Sequence, residues 1–202
     1  MIETYKIIDD AIPKKYQDDI EDLLLGNNSF PWYYVDDVTL TKDKIDKFAT
    51  KALCPAFNHV FWNDQNPYAN DAWWPFIKPL AYTAYDKVNI EVTEILQARS
   101  FLQLPIAKET PENHPHFDLP FDHLVCLYYV NDNEGPTVLY NETNKEYTLD
   151  QINDIKFTEM TKVYPKKGRA LLFNGKYFHA SSTPNQRSRC IINFDLFGES
   201  KI

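Results

Sequence analysis

Residues 113–132 read NHPHFDLPFDHLVCLYYVND and hold three of the chain's five histidines, His114, His116 and His123, ahead of an apolar run that ends in paired tyrosines. His116 and Asp118 stand at i and i+2, so in extended backbone both side chains project from one face. An imidazole and a carboxylate placed that way can share a cation. The same residues also suit an ordinary polar strand end, and the rest of the chain has to separate the two readings. His123 opens the strand that follows. His114 is in phase with His116, but Pro115 between them places it at the mouth of such a site rather than on a metal.

Working outward, short β-rich runs follow one another with turn residues between them: RSFLQL (99–104), HLVCLYYV (123–130), PTVLY (136–140), RALLFN (169–174) and CIINFDLF (190–197). The first half differs. YKII (5–8) reads as a strand, and Pro13 opens a helix whose Tyr16, Ile20, Leu23 and Leu24 keep helical spacing up to Gly26. Helical periodicity also runs over 42–61 and over 75–97, the latter through Leu80, Ala84, Val88, Val92, Ile95 and Leu96. Helices first and many strands afterwards predict an α+β protein. The expected fold is a double-stranded β-helix, or jelly roll, over about 98–197, with supporting helices over about 10–97, in a single domain spanning 1–202.

A chain of 202 residues with 44% hydrophobic content can bury one good core. The net charge of −8 and the lack of a Lys/Arg stripe argue against nucleic acid as a partner. No stretch of 18 apolar residues marks a membrane span. Cys54, Cys126 and Cys190 are widely spaced in apolar surroundings, which reads as buried thiols in a reducing compartment. The expectation is a cytoplasmic protein, with its oligomeric state left open.

Late in the chain, Tyr177-Phe178-His179 follows a Gly175-Lys176 turn and offers a third ligand. Two histidines and one carboxylate on one face of an octahedron leave three positions open, the arrangement of non-haem Fe(II) oxygenases. Arg189, ten residues further on, starts the strand Arg189–Phe194 and shares its face with Ile191 and Asn193, whereas Arg187 lies at the exit of a loop. An arginine inside a jelly roll needs an anion. A dicarboxylate cosubstrate would meet that need, and so would an ion pair with one of the 29 acidic residues.

The ordered motifs HFD (116–118), LYYVND (127–132), EGPT (134–137), KGRALLFN (167–174), FHASSTP (178–184) and SRCIINFDLF (188–197) resemble the 2-oxoglutarate/Fe(II)-dependent dioxygenases, in particular their prolyl-hydroxylase-like branch. The resemblance covers about residues 98–197. It implies that His116, Asp118 and His179 bind Fe(II), and that Arg189 holds the distal carboxylate of 2-oxoglutarate. Tyr129 would hydrogen-bond that carboxylate, and Leu127 would share its inward face. The implied reaction consumes O₂ and 2-oxoglutarate, releases succinate and CO₂, and hydroxylates a substrate. Gly135-Pro136 stands where relatives often have two glycines. Leu104 replaces a tyrosine common before the proline matching Pro105, so no residue is assigned to the near carboxylate.

Nucleic-acid demethylases of this superfamily carry two arginines five residues apart near the C-terminus, unlike Arg187 and Arg189. A peptide, protein side chain or free amino acid is therefore the expected substrate. Trp32-Tyr33-Tyr34, Trp62 and Trp73-Trp74 are either a substrate groove or core. Two other readings stay open. One is a cupin-like metalloenzyme using His114 and His116, although no glutamate occurs between Phe117 and Glu134. The other is a non-catalytic jelly-roll binding module.

Overall fold

The computed structural model describes residues 2–26, 29–39, 54–65, 71–106, 112–147, 151 and 154–201. Its helices are α1 (Lys14–Glu21), α2 (Trp74–Ile77) and α3 (Pro79–Asp86). The strands are β1 (Tyr5–Ile8), β2 (Tyr33–Val35), β3 (Ala56–Asn63), β4 (Ile90–Gln103), β5 (Leu124–Tyr129), β6 (Thr137–Thr143), β7 (Glu159–Val163), β8 (Ala170–Asn174), β9 (Tyr177–Ser181) and β10 (Arg189–Ser200). A seven-stranded sheet in the order β1-β8-β5-β10-β4-β3-β2 faces a three-stranded sheet, β7-β6-β9, and the neighbouring strands pair antiparallel.

Alternation along the central strands divides the core in two. One face of β5 and β10, with Cys126, Tyr128, Cys190, Ile192, Phe194 and Leu196, packs under the helices against Ile20, Leu24, Ile77, Leu80, Ala84 and Tyr85. The opposite face, with Val125, Leu127, Tyr129 and Ile191, meets Leu139 and Val163 of the small sheet. Every residue of β5 is consequently buried, and a strand covered on both sides reads as a continuous apolar run. The expected α+β jelly roll with supporting helices is the observed architecture.

Two helical expectations fail. Of the run 42–61, residues 42–53 lie outside the described residues, and from Ala56 the chain is strand β3. The run 75–97 is helical only as far as α3. Asn89 has φ 60°, a left-handed conformation that breaks the helical ladder, and β4 begins at the next residue. Ile90, Val92, Ile95 and Leu96 fit a period of 3.6 almost as well as a strand. Pairing of this stretch with the C-terminal half of β10 decides for the strand. The helical support therefore ends near 88 rather than 97.

The three cysteines are buried free thiols. Among the described residues, no helix is long and apolar enough to cross a membrane.

Candidate active site

Main-chain pairing brings the two histidines together. His116 and His179 form an isolated antiparallel bridge, with N–H to O distances of 2.9 and 2.8 Å in the two directions. Their rings are 4.4 Å apart. The Nδ1–H of His116 points to the carbonyl of His114 at 3.2 Å, and that of His179 to the carbonyl of Tyr177 at 3.5 Å. A carbonyl only accepts, so in both rings Nε2 keeps its lone pair. Those Nε2 atoms lie 3.9 and 3.5 Å from the carboxylate of Asp118.

The ligand atoms of His116, Asp118 and His179 all fall within 4.8 Å of one another, not far from the roughly 3 Å that separates neighbouring donors bound at ~2.1 Å. Burial, and next His116, push the His179 imidazole down to about 3, so it is neutral at ordinary pH. Burial alone would raise the Asp118 carboxyl, but the imidazole of His179 when protonated, the standing positive charge of Arg99 and then His116 draw it below the usual carboxylate range. A neutral His179 imidazole and an ionised Asp118 carboxylate are protonation states that a divalent metal requires of its ligands. The donor set fits Fe(II).

The second element of the site is Arg189, which is 1% exposed at the start of β10. Its Nε donates to the Gly135 carbonyl at 3.0 Å, NH1 to Gln103 Oε1 at 2.8 Å and NH2 to Thr137 Oγ1 at 2.8 Å. The guanidinium has five N–H donors, and these three go to neutral acceptors. Among the described residues no carboxylate pairs with it, so the ion-pair reading of Arg189 finds no support. A buried cation without a counter-charge costs several kcal/mol. An anionic ligand would remove that cost.

Tyr129 lies beside Arg189, with the guanidinium carbon 5.7 Å from its ring centroid. Its single hydroxyl hydrogen is directed to Thr137 Oγ1 at 2.8 Å and to the Val163 carbonyl at 3.3 Å. Thr137 Oγ1 thus accepts from Arg189 and shares a hydroxyl–hydroxyl hydrogen bond with Tyr129. Leu127 sits on the same inward face within the apolar wall.

Other sequence expectations are placed as follows. Arg187 is exposed. His123 precedes β5 as expected, and His114 is buried rather than at a mouth; His114 takes no part in the metal-competent clusters found among the described residues. The tryptophans and tyrosines do not form one groove. Trp62 and Trp74 stack at 5.6 Å against the helical core, while Tyr33 and Tyr34 are each 62% exposed on the edge strand β2. Reading the sequence missed Gln103 and Thr137, and also Arg99, Asn193 and Asp195 beside Asp118. The period-two face of β10 was the available signal for Asn193 and Asp195. Gln103 and Arg99 lie in the RSFLQL run of β4, which reads as a strand, but their partners on β10 follow only from the register.

No family model matches the sequence, and no curated protein matches it. Solved structures do. A prolyl hydroxylase from Trichoplax adhaerens, solved with a hypoxia-inducible-factor oxygen-degradation-domain peptide, superposes with a TM-score of 0.58 at 14% identity, over 96% of this chain and 83% of that one. This chain has the fold of the 2-oxoglutarate/Fe(II) oxygenases. A Pseudomonas putida prolyl-4-hydroxylase shares that oxygenase fold with a TM-score of 0.57 at 10% identity, covering 96% and 92% of the two chains. The non-haem α-ketoglutarate-dependent epimerase SnoN of nogalamycin biosynthesis also has the oxygenase fold, at a TM-score of 0.57 and 10% identity over 98% and 79%.

Proposed function

We propose that the protein is an Fe(II)- and 2-oxoglutarate-dependent dioxygenase that hydroxylates a peptide, a protein side chain or an amino acid. The observation that carries this reading is Arg189: a buried guanidinium whose hydrogen-bond partners among the described residues are neutral, in a jelly roll that also gathers two histidines and one aspartate within metal-binding reach. His116, Asp118 and His179 would hold the metal. Arg189 and the Thr137 hydroxyl beside it would bind the distal carboxylate, with Gln103 and Gly135 fixing the plane of the guanidinium. Tyr129 keeps Thr137 oriented through their shared hydrogen bond, and Leu127, Ile191 and Phe173 line the space with apolar surface that excludes water. When bound, iron with 2-oxoglutarate and O₂ supplies the oxidising chemistry, in which the cosubstrate is converted to succinate and CO₂.

The peptide seen in the Trichoplax prolyl hydroxylase supports a peptide-like substrate, and the net charge of −8 speaks against a polyanion. Three buried thiols fit a cytoplasmic setting. A cupin-like site built on His114 and His116 is disfavoured, because Asp118 and His179 are the residues that close on His116.

The test is succinate formation from 2-oxoglutarate with Fe(II) under air, alongside thermal scans with Mn(II) in place of iron. Asp118→Ala and His179→Ala should each abolish succinate while leaving the metal-free melting curve near that of the wild type. Metal plus 2-oxoglutarate should raise the wild-type Tm in step with ligand excess. Succinate formation surviving both substitutions would refute the ligand assignment. A wild-type Tm indifferent to both ligands would favour the non-catalytic module.

A further inference from the structure

The inward face of β10 runs from Arg189 through Ile191 and Asn193 to Asp195, and the last of these has no part in the function proposed above. Asp195 is 0% exposed. Its Oδ2 accepts from Arg99 NH2 at 3.3 Å and from Asn193 Nδ2 at 3.5 Å. Those two nitrogens also reach the candidate metal ligand. Arg99 NH2 lies 3.3 Å from Asp118 Oδ1, and Asn193 Nδ2 lies 3.4 Å from Asp118 Oδ2. Each oxygen of Asp118 therefore has its own donor, and both donors are tied back to one buried oxygen of Asp195. The register explains the grouping, since Asn193 is the β-sheet partner of Arg99 and Asp195 that of Gln97, all on the period-two inward face.

We propose that Asp195 is a positioning residue for Asp118: by anchoring Arg99 and Asn193 it holds the Asp118 carboxylate in the rotamer that faces His116 and His179. This rests on the metal reading given above. Asp118 follows the His116 bridge in a segment without regular secondary structure, so main-chain pairing does not by itself set its side-chain torsions. Donors mounted on two paired strands of the large sheet can set them. Hydrogen bonds of this supporting kind typically change metal affinity by about 10- to 100-fold.

The other oxygen, Asp195 Oδ1, faces His123 Nε2 at 3.7 Å, and neither atom has a hydrogen-bond partner among the described residues. His123 donates from Nδ1 to the Phe121 carbonyl at 2.8 Å, which leaves Nε2 as an acceptor. Asp118, His123 and Asp195 could on distance alone hold a second cation. Asp118 cannot serve that cation independently, because it already closes the His116–His179 centre, and Asp195 Oδ2 is engaged by Arg99 and Asn193. The hydrogen-bond geometry favours positioning, and metal stoichiometry distinguishes the two.

Two substitutions separate an acceptor role from mere packing. Asp195→Asn keeps a carbonyl oxygen for Arg99 and Asn193 and turns an amide N–H₂ toward the His123 acceptor, whereas Asp195→Leu keeps similar bulk and offers no acceptor. The experiment is a Mn(II) titration of the full chain followed by electron paramagnetic resonance, with Co(II) absorption as the signature of coordination and far-UV circular dichroism as the check of fold. Wild type should bind one Mn(II). Asp195→Leu should bind it about 10- to 100-fold more weakly with an altered Co(II) spectrum, and Asp195→Asn should stay closer to wild type in both. If Asp195→Leu fails to fold, Asn193→Ala carries the test, with weakening in the same direction expected. Wild-type affinity and Co(II) spectrum in folded Asp195→Leu or in Asn193→Ala, or equal damage from Asn and Leu at 195, would overturn the proposal. Two Mn(II) per wild-type chain, one of them lost in both Asp195 variants, would replace it with a second cation site. His179→Ala is the control: if it leaves Mn(II) binding intact, the triad reading fails and takes this proposal with it. If it abolishes binding while Asp195→Leu does not weaken it, the positioning role alone fails.

Discussion

Replacing Arg189 with methionine separates what the guanidinium does for the fold from what it does for a ligand. The side chain makes three hydrogen bonds to neutral acceptors and carries a buried charge with no carboxylate beside it among the described residues. Burial already lowers its pKa, the direction expected of a cation held out of water. Removing it loses three bonds worth about 1 kcal/mol each net and leaves buried acceptors bare, but it also relieves a desolvated charge that costs several kcal/mol. The two contributions oppose each other, so Arg189→Met should leave the ligand-free melting temperature within a few degrees of wild type.

Binding of 2-oxoglutarate has no such compensation. Truncating one member of a desolvated charge pair costs roughly 2–5 kcal/mol, which is about 30-fold to several thousand-fold in Kd. Arg187→Met, at an exposed loop position, should change Kd by less than about threefold, in keeping with the small worth of surface charges. Calorimetric titration of 2-oxoglutarate into the Mn(II)-loaded protein reads both numbers. Equal effects at 187 and 189, or a tenfold or smaller change at 189, would refute the claim that the unpaired guanidinium is the cosubstrate anchor.

The hydroxyl bookkeeping around Thr137 makes a second test. Thr137→Val should weaken 2-oxoglutarate binding by roughly 10- to 150-fold, the worth of a hydrogen bond to a charged group, while Thr137→Ser stays near wild type and Tyr129→Phe costs less than the valine; the reverse order in a competition assay would return the contact to Tyr129. Gly175 bears on His123, since a Cβ there would overlap the imidazole. Gly175→Ala should therefore destabilise the fold by about 1–3 kcal/mol, the usual cost of overpacking, seen as a lower urea midpoint; an unchanged midpoint would show that the ring moves aside freely.

The face assignments on the strands could be read from the sequence, because side-chain direction in extended backbone alternates with a period of two whatever the partner. That rule put His116 with Asp118 and Arg189 with Ile191 and Asn193, while the loop that precedes the strand, not the alternation, separated Arg187 from Arg189. The continuous apolar run of β5 likewise announced a strand covered on both sides. Tertiary structure decided what lies opposite. His179 meets His116 through a bridge between segments 63 residues apart in number, and nothing in local periodicity encodes that pairing. Residues 90–97 carry apolar spacing compatible with either a helix or a strand, and only the pairing of β4 with β10 settles them. Arg99 and Gln103 lie in RSFLQL, which reads as a strand, but which residues they face is set by its pairing with β10, opposite Asn193 and Arg189, and that pairing is not local. Asp195 shows the limit most plainly: its alternation was legible, but its partners Arg99, Asn193 and Asp118 are set by long-range register, which the free energy of the whole sheet chooses rather than any local stretch of sequence.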